Sequence, residues 1–323
     1  MGTLWQIAQK INTEQCSAAL GEPMWAHTTF KIGGPADLYV RPRSIRALTE
    51  ALDRLRSAGL PVFLLGGGAN ILVGDRGIRG AVIDMGLLSS IRAGAFGESA
   101  DSDAEQTRGQ IALHAECGAS VSALCEEALV RGLSGLENFY GMPGSVGGAI
   151  YMNARCYEDD ISSHIKKITY IDAVGALQEI AAASLPWSYK RSPFMCGEAL
   201  AGSTVGAAMF MLVPDNPQRI AGRMRARLAD RMQKHHFDYP SAGSMFKNNR
   251  AFGKPTGKIL HELGLRGYRI GNAAISSWHA NIFINLGGAT ARDMRALIEH
   301  AQAVVFAATG WHLEPEVLFV GEF

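Results

Sequence analysis

Apolar residues along the chain follow two rhythms. Behind Ser44 they fall at Ala47, Leu48, Ala51, Leu52 and Leu55, three or four apart, which predicts a helix to about Ser57 capped by the Ser44 hydroxyl. The same rhythm follows Ser120, at Val121, Leu124, Cys125, Ala128 and Leu129, and stops before Gly132. Thr290 caps a third such stretch over 291–308, with Met294, Leu297, Ile298, Ala301, Val304 and Val305 as its stripe. Leu4, Ile7, Ala8 and Ile11 predict a helical lead-in within residues 1–26, and further helices are expected over 217–235 and 256–264. Short apolar runs bounded by glycine, proline or polar residues predict strands at 38–40, 61–65, 71–73, 81–84, 111–115, 207–213, 273–276 and 281–285. Residues 165–183 read as a hairpin turning at Gly175, and a last strand follows Leu313-Glu314-Pro315-Glu316. Small polar residues over 94–110 predict a solvated loop. Composition breaks at Pro214-Asp215-Asn216-Pro217, a candidate domain boundary.

Glycine changes this picture. There are 37 glycines in 323 residues, above the usual share of about 7%. Gly66-Gly67-Gly68 separates two apolar runs, and six more glycines lie between 132 and 148, with Ser145 and Asn153 as hydrogen-bonding side chains. Without Cβ, such backbones bring N–H groups close to a bound anion. The triple glycine alone is equally a tight turn between buried strands. No helix pattern opens at Asn70, so it is not the strand-to-helix signature of a doubly wound nucleotide-binding sheet. Two separate cradles suit the pyrophosphate of a dinucleotide. Arg219, Arg223, Arg225, Arg227, Arg231 and Lys234 on the helix over 217–235 read as a solvated basic face. Ser241 to Asn249 reads as a loop reaching a polar ligand, and His114, alternating with apolar neighbours, as structural.

Charge and cysteine content narrow the partners. A net charge of +1 supplies no field for nucleic acid or an anionic membrane. Cys16, Cys117, Cys125, Cys156 and Cys196 are scattered, which fits reduced thiols rather than a disulfide framework or a zinc site, and no metal is expected. No apolar run reaches the roughly 18 residues of a membrane span, and no secretory leader is read at the N-terminus. The expectation is a cytoplasmic protein without an obligate protein partner.

Six blocks occur in order: Thr28-Thr29-Phe30-Lys31-Ile32-Gly33-Gly34-Pro35-Ala36-Asp37, residues 65–73, residues 141–154, Ser241-Ala242-Gly243-Ser244-Met245-Phe246-Lys247-Asn248, residues 279–285, and Leu313-Glu314-Pro315-Glu316-Val317. From Thr28 to Gly321 the chain resembles the UDP-N-acetylenolpyruvoylglucosamine reductases, in their shorter class. The resemblance implies an α+β protein: a two-subdomain FAD-binding fold of the vanillyl-alcohol-oxidase type, then an α+β substrate-binding domain. The implied division is a lead-in over 1–27, subdomains over 28–86 and 87–214, and the substrate domain over 215–323. It implies FAD held by Gly66, Gly67, Gly68, Ala69, Asn70 and Ile71, and by Gly141, Pro143, Gly144, Ser145, Gly147, Gly148 and Asn153. NADPH is the implied reductant and an enolpyruvyl ether of a UDP-sugar the implied substrate, in peptidoglycan synthesis.

By the same resemblance Ser244 donates a proton, Glu316 is the carboxylate beside it, and Tyr189, Lys247, Asn248 and Asn281 contact substrate. The family pattern Tyr-Arg-x-Ser-x-Phe is met by Tyr189-Lys190-Arg191-Ser192-Pro193-Phe194. In register Lys190 fills the arginine's place, whereas a one-residue shift presents Arg191. Ala69 stands where serine is usual, and Arg155-Cys156 where Gly-Ala is usual. Another FAD oxidase or dehydrogenase of this fold would share the glycine loops but not residues 241–248 or the Glu-Pro-Glu. A nucleotide-binding module without chemistry is favoured by the lysine at 190 alone.

Overall fold

The computed structural model describes residues 2–94 and 109–323, so the polar loop expected over 94–110 falls almost wholly outside the described residues. The first sheet orders its strands Cys16–Pro23, Pro35–Pro42, Ile78–Asp84 and Val62–Leu65. The helix Ile45–Ser57 connects Pro35–Pro42 to Val62–Leu65, and both strands run parallel to Ile78–Asp84. Ser44 caps that helix by accepting from Ala47 N at 3.2 Å, and its five expected apolar residues are all buried.

One expectation fails here. The lead-in is helical for Gly2–Ile11, but Cys16–Pro23 is a strand, paired antiparallel with Pro35–Pro42. Its sequence, rich in alanine and without β-branched residues, gives no strand signal; pairing along its whole length overrides propensity.

The second sheet is antiparallel, in the order Leu177–Ala181, Ile165–Ile171, Thr204–Pro214, Ile111–Glu116 and Ile91–Ala93. Helix Val121–Val130 is capped by Ser120 as expected. One apolar core joins the two sheets: Leu38, Leu48, Leu55 and Ile83 from the first side meet Leu113, Leu124, Phe139 and Phe210 from the second.

A third sheet, Ser241–Ser244, Ile282–Asn285, Ala273–Ile275 and Arg269–Ile270, packs under helix Ala291–Thr309 with a core of its own. That core also takes Phe30, Ile32 and Leu72 from the N-terminal half. Two further ties cross over: Asp75 accepts from Ala291 N (2.7 Å) and Arg292 N (3.0 Å) at the helix start, and Asn285 Nδ2 donates to Phe30 O (2.9 Å). The strand Leu318–Val320 pairs parallel with Ile71–Val73, directly after the first glycine turn.

The basic helix Pro217–Gln233 is not a solvated face on its inner side. Arg223 Nη2 donates to Glu137 Oε1 (2.7 Å) and Asp215 Oδ2 (2.6 Å), Arg227 Nε to Asn138 Oδ1 (3.0 Å), and buried Arg231 Nε to Tyr140 O (3.2 Å). Burial pushes the Glu137 carboxyl up, but Arg223 and the Gly135 N–H outweigh it and hold the group below its usual range. The arginines thus dock the helix beside the second glycine segment.

Candidate active site

A cleft of about 2060 Å³ runs between the first two sheets and the third. Its walls carry Gly66 to Ile71 from one glycine segment and Pro143, Gly144, Ser145, Gly147 and Gly148 from the other. The glycines allow these two segments to interlock. A Cβ on Gly67 would lie 2.6 Å from Gly144 Cα, one on Gly66 2.5 Å from Ser145 Oγ, and one on Gly68 (φ +61°) 2.0 Å from the His27 carbonyl. Among the described residues, no protein oxygen accepts from the N–H groups of Gly67 to Asn70. A cradle that excludes side chains and leaves donors on a large cleft fits a phosphate-bearing cofactor.

The second segment also contains something its sequence does not announce: Val146–Tyr151 is helical. Gly147 and Gly148 oppose helix formation by about 1 kcal/mol each, but Ser145 caps the turn by accepting from Gly148 N at 3.2 Å. Gly147 is required by packing, since a Cβ there would meet Cys117 Cβ at 2.8 Å. Two residues expected at the cofactor do not line the cleft. Gly141 (φ +75°) packs beside Arg231 and Leu228. Asn153 is buried at φ +41°, and its Nδ2 donates to Ser188 O at 2.9 Å. It braces the turn described next.

Ser188 and Arg191 bridge each other through their backbones, leaving Tyr189 and Lys190 at the tip of a two-residue turn. Lys190 stands at φ +56°, a left-handed conformation costing a non-glycine residue roughly 1–2 kcal/mol. That conformation sends its Nζ into the cleft, 2.6 Å from Glu316 Oε1, with the two side chains only 15% and 13% exposed. Arg191 also lines the cleft, but it pairs with Glu198 rather than Glu316, and its side chain is 60% exposed.

Glu316 is held from the side of the first glycine segment. Asn70 Nδ2 donates to Glu316 O at 3.0 Å, and Asn70 O accepts from Leu318 N at 3.0 Å. On its other side Glu316 N donates to Met245 O (2.8 Å), Lys247 N donates to Glu314 O (2.9 Å), and Phe246 bridges Pro315. The Ser244 segment and the terminal carboxylate segment are therefore zipped together. Ser244 is exposed to the cleft. Lys247 Nζ pairs with Glu314 (2.6 Å), and Asn248 Oδ1 accepts from Thr256 N (2.9 Å); both residues line the cleft. Asn281 lines only the smaller cavity that adjoins it, and its side chain is bound to Phe246.

A smaller cavity of about 420 Å³ shares Ser244 and Asn248 with the cleft and is lined by Lys258, His261, Arg266 and His279. Sequence reasoning missed Lys258, His261 and Arg266, because they are scattered among ordinary helix and turn residues and meet only in the folded domain; His279 opens the fifth block without an assigned role. Burial depresses the His279 pKa, and burial with Arg231, His279 and Lys234 nearby holds His236 down to about 4. Lys258 and Arg266 bring two cationic side chains to the smaller cavity. Among the described residues no cluster could hold a metal ion, and no helix is long and apolar enough to cross a membrane.

Residues 36–181 match the family model "FAD binding domain", and residues 234–320 match "UDP-N-acetylenolpyruvoylglucosamine reductase, C-terminal domain". The UDP-N-acetylenolpyruvoylglucosamine reductase of Treponema denticola is 41% identical over 310 residues, covering 94% of this chain and 93% of that protein. The enzyme of the same name from Borreliella burgdorferi is 38% identical over 296 residues, covering 91% and 92%. The crystal structure of the Thermus caldophilus UDP-N-acetylenolpyruvylglucosamine reductase is 28% identical and superposes with a TM-score of 0.72, covering 94% of this chain and 98% of that one.

Proposed function

The chain belongs to the UDP-N-acetylenolpyruvoylglucosamine reductase family, and from that premise we propose that it reduces UDP-N-acetyl-3-O-(1-carboxyvinyl)glucosamine to UDP-N-acetylmuramate for peptidoglycan synthesis in the cytoplasm. Its fold is the family's α+β arrangement, an FAD-binding part followed by a substrate-binding domain. The observation that carries the residue assignment is convergence: the glycine cradle, Ser244 and the Lys190–Glu316 pair face one cleft.

The segments Gly66 to Ile71 and Pro143 to Gly148 would hold FAD through backbone N–H groups. Held there, FAD would supply the hydride for the enolpyruvyl double bond, with NADPH as its source. Ser244 gives a proton to the adjacent carbon. A serine hydroxyl is a weak acid, so this transfer depends on close placement and on an acceptor made basic by charge. That charge develops toward the substrate carboxylate, where Lys190 supplies a fixed cation and Glu316 keeps its ammonium aimed. Lysine serves here as a point charge without the planar fork of arginine. Lys247, Asn248 and Tyr189 contact the substrate's polar parts, and Lys258 with Arg266 meet its diphosphate in the smaller cavity.

Anaerobic stopped-flow separates the two halves of this reaction. With Ser244→Ala, flavin reduction by NADPH stays near the wild-type rate, while reoxidation by the enolpyruvyl substrate falls by about 10³ or more. Loss of both halves, or of neither, would remove Ser244 from the proton-donor role.

A further inference from the structure

We propose that Asn281 is the positioning residue that aims the Ser244 hydroxyl, an inference that rests on reading Ser244 as the proton donor. Asn281 is 2% exposed and immediately precedes the strand Ile282–Asn285, which pairs antiparallel with Ser241–Ser244. Three of its polar groups are committed to the two residues that follow Ser244. Its carbonyl accepts from Met245 N at 2.7 Å, its Oδ1 accepts from Phe246 N at 3.0 Å, and its Nδ2 donates to Phe246 O at 2.8 Å. The carboxamide thus takes the place of the backbone amide that a regular ladder would put there.

The ladder needs this substitute because it is irregular at this point. Ser241 pairs with Ile284 and Ser244 with Ile282, so three steps on one strand meet two on the other. Gly243 takes up the extra residue at φ +72°. Such a bulge turns the following side chain to a new direction but leaves its backbone weakly tied. Asn281 restores the tie just beyond the bulge, and Glu316 N holds the opposite edge through Met245 O at 2.8 Å. Met245 and Phe246 are fully buried, so exposed Ser244 projects from the end of a fixed segment. Asn281 also lines the smaller cavity, but its oxygen and an amide proton are spent on Phe246, so its hold is on the segment that carries Ser244, and the substrate Kd separates this from direct contact.

The test uses the flavin-loaded enzyme and both half-reactions. In Asn281→Ala, flavin reduction by NADPH stays within about twofold of wild type, substrate Kd stays within about threefold, and reoxidation by substrate slows about 10²-fold, the effect of a misplacement on the order of 1 Å. Asn281→Asp keeps the acceptor for Phe246 N but loses the donor to Phe246 O, and falls between the two. The Ser244→Ala, Asn281→Ala double variant is no slower than Ser244→Ala. Equal slowing of both halves in Asn281→Ala, or unchanged reoxidation, overturns the inference. Where Asn281→Ala does not retain flavin, Asn281→Asp alone decides, by the same split between halves. If Ser244→Ala itself reoxidises normally, the reading of Ser244 fails; if it is blocked while the Asn281 variants are not, the failure belongs to Asn281 alone.

Discussion

Lys190 Nζ lies 2.6 Å from Glu316 Oε1, while Arg191, next in the chain, turns away to Glu198. A two-residue turn separates the destinations of these neighbours, and the positive φ of Lys190 produces the divergence. Strain of this kind persists where surrounding contacts enforce it, as Asn153 does through Ser188 O. Lys190→Ala is expected to lower kcat about 10²–10³-fold, the usual effect of deleting a group that stabilises developing charge. Arg191→Ala is expected to stay within about twofold, since an exposed pair contributes about 0–1 kcal/mol. Steady-state rates of the two variants check this, and the opposite ranking would hand the role to Arg191.

Interlocking of the glycine segments makes a second expectation. Gly67→Ala places a Cβ 2.6 Å from Gly144 Cα, backbone against backbone, so the cradle must open. The purified variant should lose the yellow absorbance of bound flavin. Gly59→Ala is the control: its φ of +66° costs roughly 1–2 kcal/mol of strain, but nothing lies within 4 Å of the new Cβ, so flavin stays bound. Equal flavin content in the two proteins would contradict the cradle.

His236 gives stability a pH dependence. Its pKa is about 4 in the folded protein against an ordinary 6.5, with burial as the main cause. The unfolded chain therefore binds more protons between those values, so stability falls as pH drops through that window and is complete above it. Melting temperature should decline from about pH 7 to about pH 5, and His236→Asn should flatten part of that decline. An unaltered pH profile in the variant would exclude His236 as a contributor.

Much of this was legible in the chain. The helices behind Ser44, Ser120 and Thr290 carry both a cap and a periodic apolar face, so local signals agree with the fold. Gly66 to Ile71, Pro143 to Gly148 apart from Val146, Ser244, Glu316 and both Lys190 and Arg191 line one cleft, whereas Gly141 and Asn153 do not. What stayed hidden depends on distant partners. Cys16–Pro23 becomes a strand through Pro35–Pro42, the glycine-rich helix Val146–Tyr151 is seated on Cys117, and the arginines of Pro217–Gln233 find Glu137, Asn138 and Tyr140 only after folding. Lys258 and Arg266, the permanent cations of the smaller cavity, lie outside every motif.

The parallel pairing of Leu318–Val320 with Ile71–Val73 has a temporal side. During synthesis, the strand that follows the triple glycine emerges long before its neighbour exists. Ribosome order and maturation order therefore run opposite ways: the region made early must wait for the region made late before its strand is paired.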